Sequence, residues 1–356
     1  MSKAKARALI LFSGGLDSLL AAKILQDQGV ETEGICFISN FFDCEKARIS
    51  ARALKMKLHT VNISKEILEL VKNPNYGHGK NLNPCIDCHG LMIKMAGEFL
   101  KNKKNQNGFD FLATGEVLGQ RPFSQNLRSL KTVGKIGGIS VLRPLSAQNL
   151  SETEVEKKGL IDRNKLKKIS GRGRGEQIEL AWKYGLENFF QSGGGCLLTD
   201  PQFARRLSLM LKNWSHCSPG DVELLKHGRV YWITQKQSKV LVVVGREEKD
   251  NKNLEKLAQR GDVLVELKET TGPLTLIRGV SNLPSYVWRS ITRPFSDYIY
   301  SVFRKKIPLE IKEEEIKTVE DRGEKGVVEN AGILTGWFTP KVRGEEVSLE
   351  VKIVNS

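Results

Sequence analysis

The sequence predicts a doubly wound α/β domain built on a parallel sheet, followed by a smaller α+β domain. Three observations carry this. Short apolar runs alternate with helix-spaced segments through the N-terminal part of the chain. The first run ends in a Ser-Gly-Gly turn that opens a helix. Near Ser218-Pro219-Gly220-Asp221 the pattern changes to paired β-rich runs. Strands that alternate with helices need crossover connections, and these cover both faces of a parallel sheet.

Ala8 to Phe12 is an apolar run of strand length, and Leu16 to Gln28 follows with helical spacing. Gly34 to Ile38 reads as a second strand, Asp43 to Lys57 as a helix and Leu58 to Ile63 as a third strand, with Ser64 a cap for the next helix. Phe109 to Thr114 and Ile139 to Leu142 are further buried strands, and helical pattern dominates from Ser151 to Trp214. Beyond Ser218, Arg229 to Thr234 and Val240 to Val244 form a hairpin around Gln235 to Lys239. A helix over Asn253 to Arg260 and a strand over Val263 to Leu267 complete a small α+β domain. The expected division is 1–217, 218–283 and an extension over 284–356, where Ile311 to Asp321 is a mixed-charge stretch and Val347 to Val354 alternates like a terminal strand.

The chain has 356 residues, with 56 Lys and Arg against 41 Asp and Glu, a net charge of +15. Hydrophobic residues make up 40% and charged residues 27%, which excludes wholesale disorder. No apolar run approaches the roughly 20 residues that span a membrane. The apolar run after the basic N-terminus is too short for a signal peptide, so a cytoplasmic protein is expected. The positive charge attracts anions, of which nucleic acid is the commonest large one in a cell. The 6 cysteines, at 36, 44, 85, 88, 196 and 217, are too few and scattered for a disulfide scaffold and are expected to stay reduced.

Ser13-Gly14-Gly15-Leu16-Asp17-Ser18 stands between a strand and a helix. Small residues let backbone wrap phosphate, and the helix start offers free N–H groups and a positive dipole end. Ser13 and Ser18 add hydroxyls, and Asp17 would hold a magnesium ion that bridges phosphate oxygens. The lysine of a Walker loop is absent. The segment resembles the PP-loop of the ATP pyrophosphatase superfamily, which implies a sheet of the adenine-nucleotide α-hydrolase type. It also implies an ATP whose adenine lies near the end of the next strand, around Ile38 and Ser39.

Asn83-Pro84-Cys85-Ile86-Asp87-Cys88-His89 offers two thiols at a helix start. Cys196, after Gly193, Gly194 and Gly195, is a third candidate, because consecutive glycines permit a close backbone approach that packing rarely needs. Two readings compete for Cys85, Cys88 and Cys196: ligands of a 4Fe–4S cluster with one open iron, or persulfide chemistry centred on Cys196. A zinc site with His89 as a fourth ligand ranks third, since adjacent helix residues point about 100° apart. Cys36, Cys44 and Cys217 are expected in the core.

Ala113-Thr114-Gly115-Glu116-Val117-Leu118-Gly119-Gln120, then Ser124-Gln125-Asn126-Leu127 and Leu142-Arg143-Pro144-Leu145, follow a strand and are expected to open a helix at the ligand-binding edge of the sheet. Thr114, Gly115 and Gln120 are therefore candidate nucleotide contacts; Glu116 and Gln120 are candidates to orient the loop or the target base, with Glu116 alternatively a cap of the helix. This run closely resembles the tRNA 4-thiouridine synthases. The Cys-x-x-Cys pair with a later cysteine resembles their cluster-containing type, and tRNA 2-thiouridylases are the second resemblance. The implied reaction adenylates a uridine carbonyl oxygen and replaces it with sulfur, giving 4-thiouridine at position 8 or a 2-thiouridine. Its partners would be tRNA and a sulfur donor, either free sulfide or a persulfide-bearing protein; a homodimer is compatible. A different class stays open: an RNA-binding PP-loop protein whose cysteines hold structural zinc.

The family usually carries an RNA-binding THUMP region ahead of catalysis, and here the loop arrives at once. The run from Lys226 through Val244-Gly245-Arg246 to Leu254 resembles the NFACT RNA-binding domain instead. His227, Arg229, Arg246 and Lys252 suit phosphate contacts, and Tyr231 or Trp232 could stack on a base. A second basic stretch supplies Lys167, Lys168, Arg172 and Arg174, with glycines between the arginines that suit a loop over ATP, RNA or both.

Overall fold

A computed structural model describes residues 6–101, 108–186, 195–235, 237–280, 298–306, 308 and 324–354. The chain forms two compact units, Met1–Ala204 and Arg205–Ser356.

In the first unit, strands β1 (Arg7–Leu11), β2 (Glu31–Ile38), β3 (Lys57–Asn62), β4 (Phe111–Thr114) and β5 (Val141–Leu142) make one sheet in the order β3-β2-β1-β4-β5. Every pairing is parallel, with Ile10 opposite Gly34 on one side and Ala113 on the other. This is the doubly wound sheet that the alternation predicts. Helices α1 (Leu16–Gln26), α2 (Glu45–Ala53), α3 (Ser64–Lys72), α4 (Cys85–Lys101), α5 (Leu127–Gly137), α6 (Glu154–Lys157) and α7 (Gly175–Lys183) make the connections. Leu19, Leu20 and Leu25 of α1 pack with Ile10 and Phe12 in a core that reaches Leu142, Leu166 and Ile169. The chain leaves β1 to one side for β2 and returns on the other for β4. The crevice between β1 and β4 is thus a topological switch point, where open α/β sheets bind ligands.

Three differences from the sequence reading have physical causes. The segment after Thr114 does not open a helix at once: the chain turns through Gly119, and α5 starts only at Leu127, where the Asn126 side chain accepts the Ser129 N–H. The Ser64 N–H is bonded by Asn62 Oδ1, so Asn62 steers entry into α3 and Ser64 lies within it. Cys36 and Cys44, expected to be reduced core thiols, are joined in a disulfide; the turn after β2 brings their Cα atoms to 6.1 Å and buries both.

The second unit comprises the end of α8 (Pro201–Asn213), α9 (Pro219–Leu224), α10 (Glu248–Leu257), α11 (Glu324–Trp337) and an antiparallel sheet. The strands are β6 (Arg229–Gln235), β7 (Ser238–Val244), β8 (Val263–Leu267), β9 (Thr275–Arg278), β10 (Tyr298–Lys306) and β11 (Glu346–Val354), in the order β10-β11-β8-β9-β7-β6. The expected hairpin is β6–β7. The strands beyond residue 284 belong to the same sheet, because β11 pairs with β8 from Leu349 opposite Leu267 to Ile353 opposite Val263. Val327, Val328, Ala331 and Leu334 of α11 cover one face. Buried Arg278 bridges Asp262 at 2.7 Å and Asp221 at 2.9 Å, which ties β9 to the turn before β8 and to α9. Ile311 to Asp321 lies outside the described residues. Among the described residues no helix is long and apolar enough to cross a membrane.

Candidate active site

Ser13 to Ser18 form the wall at the end of β1. Gly14 has φ +75°, and a Cβ there would lie 2.4 Å from the backbone N of Ala47, so only glycine fits. The Gly14 carbonyl accepts the Ser50 hydroxyl at 2.8 Å, which anchors the loop on α2. Gly15 is the N-cap of α1 and supplies no side-chain cap, which leaves the first-turn N–H groups to whatever lies in front of them. On the far side of the crevice, a Cβ on Gly115 would meet the backbone N of Ser18 at 2.5 Å. The two strand-end loops therefore touch only because Gly115 has no side chain.

Between them opens a cavity of about 740 Å³, lined by Ser13, Gly15, Asp17, Ser18, Thr114, Gly115, Glu116 and Gln120. The same wall carries Cys85, Cys88, His89, Arg121, Arg172, Arg174 and Cys196. Sequence positions far apart thus meet at one site.

Asp17 is the focus of the nucleotide end. Its Oδ2 accepts a hydrogen bond from Gln120 Nε2 at 3.2 Å and pairs with Arg174 at 3.5 Å, whereas Oδ1 is buried without a partner. Burial raises its pKa, and the charges of Arg174 and Arg121 with the Gln120 hydrogen bond oppose the rise. A buried orphan carboxylate oxygen beside a helix N-terminus suits a hard cation held with phosphate. Ser39, expected near the adenine, is buried in a turn and its hydroxyl accepts the Phe41 N–H; the cavity wall from β2 is Ile35, Cys36 and Phe37.

Glu116 is a hub, not a cap. Its Oε1 accepts from His89 Nδ1 at 2.9 Å, and its Oε2 accepts from Arg143 Nε at 2.9 Å and the Thr114 hydroxyl at 3.1 Å. Burial alone would raise its pKa, but Arg143 and His89 outweigh it and hold the carboxyl at about 2. Three elements, α4, the loop after β4 and the end of β5, are bound together by this one ion. His89 joins that hub through Nδ1, and its ring lines the cavity.

The thiols reach the cavity by two routes. Asp87 pins the start of α4 by accepting the Asn75 and Tyr76 N–H groups, and Cys85 donates to Asn83 Oδ1 at 3.1 Å. Cys196 arrives from far along the chain: Leu197 N–H bonds the Phe41 carbonyl, Leu82 N–H bonds the Leu198 carbonyl, and Asn81 donates to the Thr199 carbonyl at 2.8 Å. Gly193 and Gly194 lie outside the described residues. Burial raises all three thiol pKa values, that of Cys196 to about 11, and Cys196 and Cys85 add to the rise at Cys88. Such thiols stay protonated at neutral pH and ionise readily only when a positive charge is supplied. As a set of soft sulfur donors on one wall they fit an iron–sulfur or zinc group. Among the described residues, however, no three His, Cys, Asp or Glu side chains converge into a metal-holding group.

The basic residues expected to touch RNA divide. Arg172 and Arg174 line the cavity, whereas Lys167 and Lys168 border a separate depression with Glu176 and Glu179. In the second unit Arg229 lies 4.1 Å over the Phe338 ring, His227 faces Asp250 at 3.6 Å, Lys252 pairs with Glu248, and the Arg246 side chain is exposed. Tyr231 stacks with Phe338, and Trp232 meets Trp214 edge-on at 5.0 Å, so both aromatics have protein partners. The Glu116–Arg143–His89 hub is what sequence reasoning missed. Its residues lie inside the motifs already singled out, and their pairing depends on tertiary structure.

The chain is similar to known proteins over its N-terminal part. A tRNA-specific 2-thiouridylase (MnmA) of Mannheimia succiniciproducens is 33% identical over 143 residues, 36% of this chain and 36% of its own. A probable tRNA sulfurtransferase of Geobacillus thermodenitrificans is 29% identical over 155 residues, 41% of this chain and 36% of its own. The chain thus spans about a third of the length of these curated relatives. A solved 4-thiouridine synthetase–RNA complex with bound ATP is similar at 21% identity and a TM-score of 0.40, covering 61% of this chain and 52% of that one. Residues 3–157, which hold the Ser13–Ser18 loop, Cys85, Cys88 and the Glu116 hub, match the family described as thiamine biosynthesis protein (ThiI).

Proposed function

We propose that the chain is an ATP-dependent tRNA uridine sulfurtransferase. The observation that carries the reading is a single cavity faced by a phosphate-type loop with an orphan Asp17 oxygen and by three thiols. Nucleotide activation and sulfur delivery must meet at one carbonyl group of the base, and this cavity can bring them together.

In the proposed first step, a uracil carbonyl oxygen bonds to the α-phosphorus of ATP. The bond from that phosphorus to the bridging oxygen breaks, and pyrophosphate leaves with the electron pair. The N3 proton is lost, so the adenylated base is neutral at the ring. In the second step, hydrosulfide sulfur bonds to the ring carbon and AMP leaves with its oxygen, after which N3 carries a proton again. First-turn N–H groups of α1 would bind phosphate and Asp17 would hold a magnesium ion, while Gln120 fixes the Asp17 carboxylate through Oδ2. Thr114 and Gly115 form the opposite wall. Cys85, Cys88 and Cys196 would hold a 4Fe–4S group, which would supply an iron that binds sulfide; their place on one cavity wall supports this reading. The second unit, in the reading as an NFACT-like RNA-binding module, holds tRNA, with Arg246 and Lys252 the exposed cations among the residues proposed for it.

The product is assigned as 4-thiouridine at position 8, on the Thr-Gly-Glu-x-Leu-Gly-Gln run. The similarity to a 2-thiouridylase favours 2-thiouridine as the second reading. Nucleoside analysis of tRNA from a deletion strain tests both: loss of 4-thiouridine supports the assignment, loss of a 2-thio nucleoside promotes the second, and unchanged thionucleosides refute the thiolase reading. Anaerobic purification tests the metal, since colourless protein with stoichiometric zinc would remove the cluster.

A further inference from the structure

We infer that the loop from Gly171 to Gly175 is an anion clamp for the β- and γ-phosphates of the nucleotide, with Arg174 its principal contact and Arg172 its second. The inference rests on the nucleotide reading above and deepens it. The Ser13–Ser18 loop contains no lysine or arginine, so a polyphosphate there needs its cations from elsewhere. Arg172 and Arg174 line the same cavity as Ser13, Gly15 and Asp17; Gly173 separates them, and Gly171 and Gly175 flank the pair.

The loop is fastened at both ends. The Gly171 N–H bonds the Leu118 carbonyl at 2.8 Å, and α7 begins at Gly175. Gly171 takes φ +88°, a conformation that lets the chain turn back toward the crevice. Arg174 is held short of full satisfaction: one Nη reaches Asp17 Oδ2 at 3.5 Å, and its Nε is buried without a partner. Asp17 Oδ1 is the complementary orphan. Magnesium on Asp17 would weaken the carboxylate's hold on the guanidinium. Phosphate oxygens would then accept from both the Nη and the Nε edge, satisfying each orphan at once. The clamp stabilises the pair of electrons that pyrophosphate takes with it when the bond to the α-phosphorus breaks. Lys167 and Lys168 face another depression, so only the arginines of this basic stretch are assigned to the clamp.

Equilibrium binding to the full chain tests this, with MgATP, magnesium pyrophosphate, AMP and tRNA as separate probes. Arg174→Ala is expected to weaken MgATP and pyrophosphate roughly 10- to 100-fold and to leave AMP and tRNA within about twofold. Arg174→Lys should recover part of the loss, because it restores charge without the planar fork. Arg174→Gln, closer in shape, is the second neutral variant if Arg174→Ala does not fold. Equal weakening of AMP and ATP, no change in ATP, or a loss confined to tRNA would each overturn the clamp. Failure of the unsubstituted chain to bind MgATP would sink the nucleotide reading itself, whereas wild-type ATP affinity in all variants would sink the clamp alone.

Discussion

Replacing Glu116 with Gln removes a charge and little else, and the structure fixes what that should cost. The Glu116 carboxyl is held at about 2 instead of its ordinary 4.5. That depression corresponds to about 3 kcal/mol of stability at neutral pH. The cost seen from the other partner is similar: the Arg143 side chain is 10% exposed, and its Nη2 already lacks a hydrogen bond. Leaving a buried cation without its partner costs about 3–5 kcal/mol, a figure that overlaps the first and is not added to it. For a unit of this size the melting temperature should fall by roughly 6–12 °C. The sign with pH follows from the depressed pKa. The contribution is fully present above 4.5 and is lost as pH falls through 2, so wild type should lose its advantage over Glu116→Gln across that acid window. Thermal melts of both proteins at neutral pH and between pH 5 and about 2 read this directly. A Glu116→Gln protein that melts within about a degree of wild type, or a gap that widens in acid, would refute the hub.

Gly115→Ala should abolish MgATP binding while circular dichroism shows the sheet intact, because its Cβ would overlap the Asp17–Ser18 backbone; full affinity would show that the two loops part easily. Cys196→Ser should stop sulfur incorporation yet leave pyrophosphate release measurable, and loss of both would indicate collapse of the wall. In chelator-treated protein, alkylation of Cys196 should stay slow at neutral pH and accelerate as the pH approaches about 11, the value to which burial raises this thiol; fast labelling at pH 7 would contradict that environment. Asp17→Asn should lower pyrophosphate release at least about 100-fold, a barrier increase of about 2.7 kcal/mol, measured as phosphate after pyrophosphatase treatment.

The parallel sheet was readable because its central strands carry short apolar runs buried on both faces, as in Ala8, Leu9 and Ile10 of β1 and Phe111 to Ala113 of β4. The Ser13–Ser18 loop was readable because a strand, small residues and a helix follow one another within a few positions. What escaped depends on distance along the chain. Glu116, His89 and Arg143 sit on three different elements, and no local period relates them. The Cys36–Cys44 disulfide depends on how the turn after β2 folds back, which neither residue signals. The start of α5 was misplaced because polar residues after a strand resemble a helix opening, while Asn126 supplies the actual cap. In the second unit, Tyr231 and Trp232 looked free to stack on a base, but Phe338 and Trp214 take up their rings.

The central claim is that activation by ATP and delivery of sulfur occur at one base in one cavity. Incubating purified, anaerobically prepared protein with tRNA, MgATP and labelled sulfide, and counting AMP against thiolated uridine, tests it most directly. The account predicts one AMP formed per sulfur incorporated, with both lost in Asp17→Asn; in Cys196→Ser sulfur incorporation and the AMP it displaces are lost while pyrophosphate release persists. AMP formation without any thiolated nucleoside in the wild-type reaction, or thiolation that proceeds without ATP, would contradict it.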